Sequence, residues 1–406
     1  MSASLSRRVT HLTTSGQIGG AECVVLECVR ASHVSHDTAS LVSFGSGPLL
    51  AAARALGVTT TVVEPPPSFA IVGESFATSS EVLRVLVPRL WQFPGFFRRF
   101  SGVVAESAPH IIHSHGVKTH ALASLLALRT PVVWHLHDYV GMRSVSSRLL
   151  RLLSRRCALA IAVSESVAKD ARKHLAASVP IVVVHNGVDC DRFRPEGSVA
   201  DLDQLCALPP APAGIIRIGL PATFARWKGH EVFVRALSLL DKSSIRAYIV
   251  GGPMYRRDRS QWSREELRAI VAMYGLEGTI GFTGYVADMP AVYRALDIVV
   301  HASTRPEPFG LVIAEAMACG RAVIAAPAGG AAELFVDGEH ALGAPAEDAE
   351  GLAHALRKLA TDPELRTTLG GRARTHITST FSTRHFARDL EAALARIPGL
   401  VPTPAQ

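Results

Sequence analysis

No stretch of this 406-residue chain holds the roughly 18 uninterrupted apolar residues that a membrane-spanning helix requires. Ala121 to Leu128 and Cys157 to Ser164 come nearest and are too short. Charge is sparse, with 19% Asp, Glu, Lys and Arg against 48% apolar residues, a balance that excludes a disordered or collagen-like chain. Cysteine is scarce: Cys23, Cys28, Cys157, Cys190, Cys206 and Cys319 form no C-x-x-C pair and show no companion histidine spacing. That argues against zinc and against a disulfide framework, and predicts buried thiols. The glycine-rich phosphate loops are missing too. There is no P-loop, and Gly45-Ser-Gly47 begins a dinucleotide fingerprint without completing it. The opening residues carry Arg7 and Arg8 but no apolar run behind them, so the central part of a secretory signal is lacking and a cytoplasmic protein is expected.

What is present is an alternation. Strand-like runs at Val9–Thr13, Ala39–Phe44, Thr59–Val63, Ile111–His115, Val132–His137, Leu159–Val163 and Ile181–Val184 are separated by helical stretches, which implies a parallel sheet. Residues 195–214 crowd Pro, Gly and Ala without periodicity and read as an inter-domain linker. A second series follows at Ile216–Leu220, Ala247–Val250, Ile280–Thr283, Ile298–His301 and Ala322–Ala325, and Ser263 with Glu266 makes a capping box. The expected division is 1–195, a linker 196–214, a second domain 215–380, and residues 381–406 as a helix and tail. Two α/β units of similar size suggest a ligand cleft between them. The net charge of +7 lies wholly in the first half, where residues 1–200 hold 20 Lys and Arg against 13 Asp and Glu. Such an excess points to an anionic partner, and no nucleic-acid-binding signature accompanies it.

The most informative run is Glu307-Pro-Phe-Gly-Leu-Val-Ile-Ala-Glu315-Ala-Met-Ala-Cys-Gly320. Pro308 suits the first position of a helix, and the amides of Phe309, Gly310 and Leu311 would then face a phosphate. Eight residues of helix would hold the two carboxylates roughly 12 Å apart. Glycosidase pairs stand about 5 to 9.5 Å apart, so the two glutamates are expected to hold different parts of one ligand.

This run resembles the E-x7-E signature of the retaining GT-B glycosyltransferases of family 4. The supporting pieces stand in the expected order: Gly16-Gln-Ile-Gly19-Gly20-Ala-Glu22, His113-Ser-His115-Gly, Trp134-His-Leu-His137-Asp138, Ser164-Glu, His185-Asn-Gly-Val-Asp189, Arg226-Trp-Lys228-Gly229 and Ala328-Gly-Gly330. The resemblance implies two Rossmann-like β/α/β domains with the nucleotide diphosphate sugar between them and a last helix that returns to the first domain. It also implies the site. Glu315 would hold the donor ribose and Glu307 the transferred sugar. Gly19, Gly20, Phe309, Gly310 and Leu311 would surround the diphosphate, Lys228 would neutralise it, and His137 would orient the sugar ring. Thr223 occupies the place of the family's usual arginine, which leaves Arg226 as its substitute. Glu22 and His115 are acceptor-side candidates, while His301 is expected to be structural.

No cofactor and no metal are expected. Asp189-Cys-Asp191 and Asp201-Leu-Asp203 are read as local caps, and magnesium can accompany the nucleotide without being required. The run Ser147–Arg156 sets Arg148, Arg151 and Arg155 opposite leucines, a basic amphipathic helix that packs on the sheet or touches anionic lipid. Trp91–Phe100 offers an aromatic and basic patch beside it. A carbohydrate or lipid-linked acceptor fits this charge. A nucleotide-sugar epimerase and a non-catalytic sugar-nucleotide-binding protein stay open as alternatives.

Overall fold

The computed structural model describes residues 6–71, 91–126, 129–142, 144–253, 260–398 and 400. The chain divides into two compact units, one of residues 1–187 with 383–406 and one of residues 188–382.

The first unit holds a seven-stranded sheet in the order β3-β2-β1-β4-β5-β6-β7, with every pair parallel. The strands are β1 (Arg8–Thr13), β2 (Thr38–Ser43), β3 (Thr59–Val62), β4 (Ile111–His115), β5 (Val132–Leu136), β6 (Cys157–Ala162) and β7 (Ile181–Val183). β4 and β5 are buried along their whole length, as parallel strands covered on both faces must be. Their runs differ from the usual valine and isoleucine, because β4 carries His113 and His115 and β5 carries His135. The helix Gly20–Val34 covers one part of this sheet with Val25, Leu26 and Val29. The helix Thr383–Leu394 packs against Gly20–Val34 and buries Phe386, Leu390 and Leu394. Arg7 ties the end of that helix to the sheet through Asp37 and Glu391.

The second unit holds a six-stranded sheet in the order β10-β9-β8-β11-β12-β13, again all parallel. Its strands are β8 (Ile216–Pro221), β9 (Ile245–Val250), β10 (Ile280–Gly284), β11 (Ile298–His301), β12 (Ala322–Ala325) and the short β13 (Leu342–Gly343), which the sequence pattern had not indicated. The core joins strand residues such as Ile218, Ile249 and Val300 to Phe233, Leu267 and Leu356 from the helices. In each sheet the strand order reverses between the first strand and its neighbour across the middle, β1 beside β4 and β8 beside β11. Open α/β sheets bind their ligands at the carboxyl ends of such strands.

The expected linker is corrected. Residues 196–214 belong to the packed body of the second unit, because a short helix Leu202–Leu205 puts Asp203 in the interior. There it accepts hydrogen bonds from Tyr248 Oη at 2.8 Å and the Ala211 amide at 2.9 Å, and it faces Arg217 and Arg246. The boundary also lies earlier than residue 195. Arg374 donates to the carbonyls of Cys190, Phe193 and Ala318, which fastens the segment after Gly187 to the second unit.

The basic helix runs Ser144–Leu153, with one 3₁₀ turn over Ser154–Arg156. Leu150 is buried, but Leu149 and Leu152 are 51% and 59% exposed, so the leucines do not all pack on the sheet. The aromatic patch is corrected as well. Phe96 and Phe100 enter the core against Phe44, and only Trp91 stands well out of it. Among the described residues, no helix is long and apolar enough to cross a membrane.

Candidate active site

At the carboxyl end of β11 the chain leaves the sheet at His301 and reaches the helix Leu311–Ala318 through a loop. The helix starts later than the sequence pattern suggests. Pro308 is not its first residue, since Gly310 is the N-cap with φ 103°, a left-handed conformation that glycine adopts without strain. The first turn therefore opens with Leu311 and Val312, while Phe309 lies before it with its ring buried against Phe381. Glu307 is not on the helix either, so the 12 Å spacing drawn from helical rise does not apply. Its backbone instead pairs with the neighbouring glycine loop. The Glu307 amide donates to the Ala328 carbonyl at 3.2 Å, and the Gly330 amide donates to the Glu307 carbonyl at 2.7 Å.

This fixed backbone turns the Glu307 carboxylate onto three groups. Lys228 Nζ donates to Oε1 at 3.0 Å and Oε2 at 2.7 Å, and Ser303 Oγ donates to Oε2 at 3.1 Å. His301 Nε2 stands 3.0 Å from the same oxygen. A carboxylate only accepts, so His301 carries its proton on Nε2. Burial alone would raise the Glu307 carboxyl. The Lys228 ammonium and the His301 hydrogen bond outweigh it and hold the group well below the usual carboxylate range. Glu307 is thus an anion at any physiological pH.

Lys228 closes a single 3₁₀ turn, Arg226–Lys228, whose last peptide leads into Gly229 at φ 76°. A Cβ at Gly229 would fall on the Ala302 carbonyl oxygen, so this loop and the end of β11 approach each other only because that residue is glycine. The Thr304 amide donates to the Trp227 carbonyl at 2.7 Å and completes the junction. Behind it His230 is fully buried. Burial, and then the Lys228 charge, lower its pKa to about 4, so it adds no second positive charge beside Lys228.

One turn into the helix, Glu315 accepts a hydrogen bond from Tyr293 Oη at 2.8 Å. Burial raises its carboxyl to about 7, and the Tyr293 bond and the Arg192 charge oppose that only in part. The two glutamates are therefore shifted in opposite directions, Glu307 down by its charged partners and Glu315 up by burial. Arg226 does not join this group. Its guanidinium lies 3.7 Å from the centre of the Trp262 ring and binds Glu266 at 2.8 Å, next to the Ser263–Glu266 capping box that the sequence predicts.

In the first unit, Gly19 is the N-cap of Gly20–Val34, and the Glu22 carboxylate accepts its amide at 3.2 Å. Glu22, an acceptor-side candidate from sequence, here serves as a helix cap. His115 and His137 lie in a row of imidazoles. In parallel register His11 stands beside His113 and His115 beside His135, and alternation along each strand puts His113 with His115 on one face. His115 Nδ1 is 3.0 Å from His137 Nε2, its Nε2 is 3.2 Å from His11 Nδ1, and His135 Nδ1 is 3.2 Å from His113 Nε2. Burial lowers the His11 and His137 rings to about 4 and keeps the others neutral. His115 is fully enclosed, and His137 is the member that reaches partial exposure. Of the Asp-x-Asp pairs, Asp189 accepts the amides of Asp191 and Arg192, and Asp201 caps its short helix.

The structure thus brings together Lys228 and Glu307, both candidates from sequence, and adds His301 and Ser303 as partners of Glu307 and Tyr293 as the partner of Glu315, which the sequence did not pair with them. His301 had been assigned a structural role, and the other two had drawn no notice. Strand alternation could have singled out His301 and Ser303, two residues apart on one side of the chain at the mouth of the sheet.

The pattern of the family "Glycosyl transferases group 1" matches residues 216–376, and that of "Glycosyltransferase Family 4" matches residues 18–192. The chain is 30% identical to the lipopolysaccharide core biosynthesis mannosyltransferase LpcC of Rhizobium leguminosarum bv. viciae, over 85% of this chain and 94% of that protein. It is 32% identical to a D-inositol 3-phosphate glycosyltransferase of Streptomyces bingchenggensis over 53% of this chain and 48% of that one. Among solved structures, HepE of Anabaena with UDP and glucose superposes with a TM-score of 0.81 at 24% identity, covering 96% of this chain and all of that one. Sucrose-phosphate synthase of Thermosynechococcus elongatus gives 0.78 at 20% identity, covering 96% and 98%. Two parallel sheets, the Lys228–Glu307 pair at the switch point of the second and a near full-length relative together place the chain in the group 1 glycosyltransferases, enzymes of the GT-B fold.

Proposed function

We propose that this glycosyltransferase transfers a mannosyl unit, with retention of anomeric configuration, from a nucleotide diphosphate sugar to a hydroxyl of a lipopolysaccharide-type acceptor in the cytoplasm. The observation that carries the reading is the anchored Glu307 carboxylate, held by Lys228, His301 and Ser303 at the carboxyl end of β11. The likeness to a lipopolysaccharide core mannosyltransferase over nearly its whole length supports the sugar and the acceptor.

In this reading Glu307 accepts hydrogen bonds from the transferred sugar's hydroxyls. Its ion pair with Lys228 holds both groups in place before the donor arrives. Lys228 then turns part of its charge to the diphosphate and stabilises the negative charge that grows on the leaving group. The amides of Leu311 and Val312, at the positive end of an eight-residue helix, act in the same sense. Glu315, with Tyr293 fixing one oxygen, meets the ribose hydroxyls. His137 keeps the role at the sugar ring that the sequence resemblance gives it. Glu307 is already committed to an ion pair, which fits front-face attack rather than a carboxylate nucleophile. With these charges the leaving group needs no metal ion, and magnesium can accompany the nucleotide.

The test is a product assay with UDP-, GDP- and ADP-sugars and EDTA present, read by nuclear magnetic resonance of the anomeric proton. An α-configured mannoside from an α-configured donor is expected. Donor epimerisation without transfer would replace the reading by an epimerase, and donor binding without any turnover would replace it by a binding protein.

A further inference from the structure

Four residues of the first unit meet behind His137, on the inner side of the imidazole row. Cys28 comes from the middle of the helix Gly20–Val34, His113 and His115 from β4, and His135 from β5. One ligating atom of each lies within 4.8 Å of all the others, and all four residues are buried. His135 Nδ1 is 3.2 Å from His113 Nε2 and 3.8 Å from Cys28 Sγ. With metal–nitrogen bonds of about 2.0–2.1 Å and a metal–sulfur bond of about 2.3 Å, the edges of a tetrahedral zinc site come to about 3.3–3.6 Å, which the two separations at His135 nearly match, while the others, at most 4.8 Å, would close on binding.

Hydrogen bonding alone satisfies the cluster poorly. His135 Nδ1 carries either one proton or one lone pair, yet it faces two groups at once, and its Nε2 is buried with no partner among the described residues. If Nδ1 is the lone pair, Nε2 is an orphaned N–H, and with His113 protonated on its own Nδ1 the thiol hydrogen is the single proton facing three lone-pair atoms. A single cation accepts all of those lone pairs. Neutral imidazoles and a thiol that loses its proton on binding are the ligands that zinc prefers, and a closed set of one sulfur and three nitrogens suits a structural site. His115 also has an outer partner: one of its nitrogens reaches His11 and the other His137, so whichever nitrogen binds the ion leaves the second to fix the ring.

We infer that Cys28, His113, His115 and His135 form a structural zinc site inside the first unit, which pins the helix Gly20–Val34 to strands β4 and β5. The sequence gives no C-x-x-C signal for it, because the ligands come from three elements and meet only through sheet register. The inference is independent of the transfer reaction, and donor binding measured on the same samples keeps the two apart.

The test uses tag-free full-length protein grown with added zinc, dialysed, and analysed by plasma mass spectrometry. One equivalent of zinc per chain is expected, falling to near none in Cys28→Ala. Protein unfolded with chelator and refolded with Co²⁺ should show a near-ultraviolet sulfur-to-cobalt charge-transfer band and the intense visible bands of a tetrahedral ion. That band should vanish in Cys28→Ala and persist in Cys157→Ala, whose thiol lies elsewhere. Circular dichroism reports whether each variant is folded, and Cys28→Ser serves if the alanine variant is not. Folded wild-type protein that carries no zinc and gives no cobalt band overturns the site. So does a band that survives in Cys28→Ala.

Discussion

Lys228 and Glu307 stand 79 positions apart and share one ion pair inside the second unit, so each changes what a substitution at the other does. Removing Lys228 takes the ammonium away from a buried carboxylate that still faces His301 and Ser303, and breaking a buried ion pair on one side costs about 3–5 kcal/mol. Lys228→Ala is therefore expected to lose both turnover, by orders of magnitude, and stability. Adding Glu307→Gln to it should restore much of the melting temperature and none of the activity. Calorimetry and a donor-turnover assay on the two variants check this, and a double variant no more stable than Lys228→Ala would remove the electrostatic account. The two glutamates also predict opposite pH dependences. Glu307 has a lowered folded pKa, so its contribution to stability is present above its unfolded value of 4.5 and lost as the pH falls through the folded one. Glu315 has a raised one. Its contribution is full below 4.5 and lost as the pH rises through about 7. Glu315→Gln is then expected to melt several degrees above wild type at pH 8 and level with it at pH 4, and an equal offset at both would contradict the burial argument.

Elements carry the next scale of prediction. The turn Arg226–Lys228 reaches the end of β11 only through Gly229, whose left-handed backbone and lack of a Cβ both matter. Gly229→Ala should cost more than the roughly 1 kcal/mol of a strained backbone alone, because the loop must also move off the Ala302 carbonyl. Donor affinity should fall with it, measured by titration calorimetry. The helix Ser144–Leu153 shows Leu149 and Leu152 among exposed arginines. If that face meets anionic lipid, Leu149→Ser with Leu152→Ser should weaken sedimentation with phosphatidylglycerol vesicles several-fold and leave the melting temperature unchanged. Unaltered sedimentation would mean that the face is ordinary surface.

At the scale of the molecule, the chain enters the second unit after Gly187 and returns at Thr383 to complete the first. The return helix buries Phe386, Leu390 and Leu394 and holds Arg7 through Glu391. Truncation after Ser382 should lower the unfolding temperature of the first unit and leave that of the second, so that one calorimetric transition broadens into two. A single transition at the wild-type temperature would show that the helix adds nothing.

Much of the fold was legible from local pattern. Short β-branched and apolar runs of four to six residues between turn signals marked twelve of the thirteen strands, the central ones because parallel strands covered on both faces are apolar, the partly exposed β3 through its threonines. The short β13 escaped, being two residues long with no periodicity to read. Lys228, Glu307 and Glu315 were named from the family resemblance of the runs that carry them, and the structure puts Lys228 in a 3₁₀ turn, Glu307 in the loop after β11 and Glu315 inside the following helix. Partners across the fold were not legible. His301, Ser303 and Tyr293 gain their roles from where the glutamates turn, Glu22 becomes a cap because its helix begins at Gly19, and residues 196–214 become packed structure because Asp203 finds two arginines and a tyrosine. The sequence by itself determined the alternation, the family and the charged residues at the strand ends, because those are properties of neighbours along the chain. Only the tertiary structure decided which side chains meet, including Cys28 and the three histidines beside it, because sheet register and helix packing bring together groups such as Cys28 and His135, 107 residues apart, that no spacing along the chain relates.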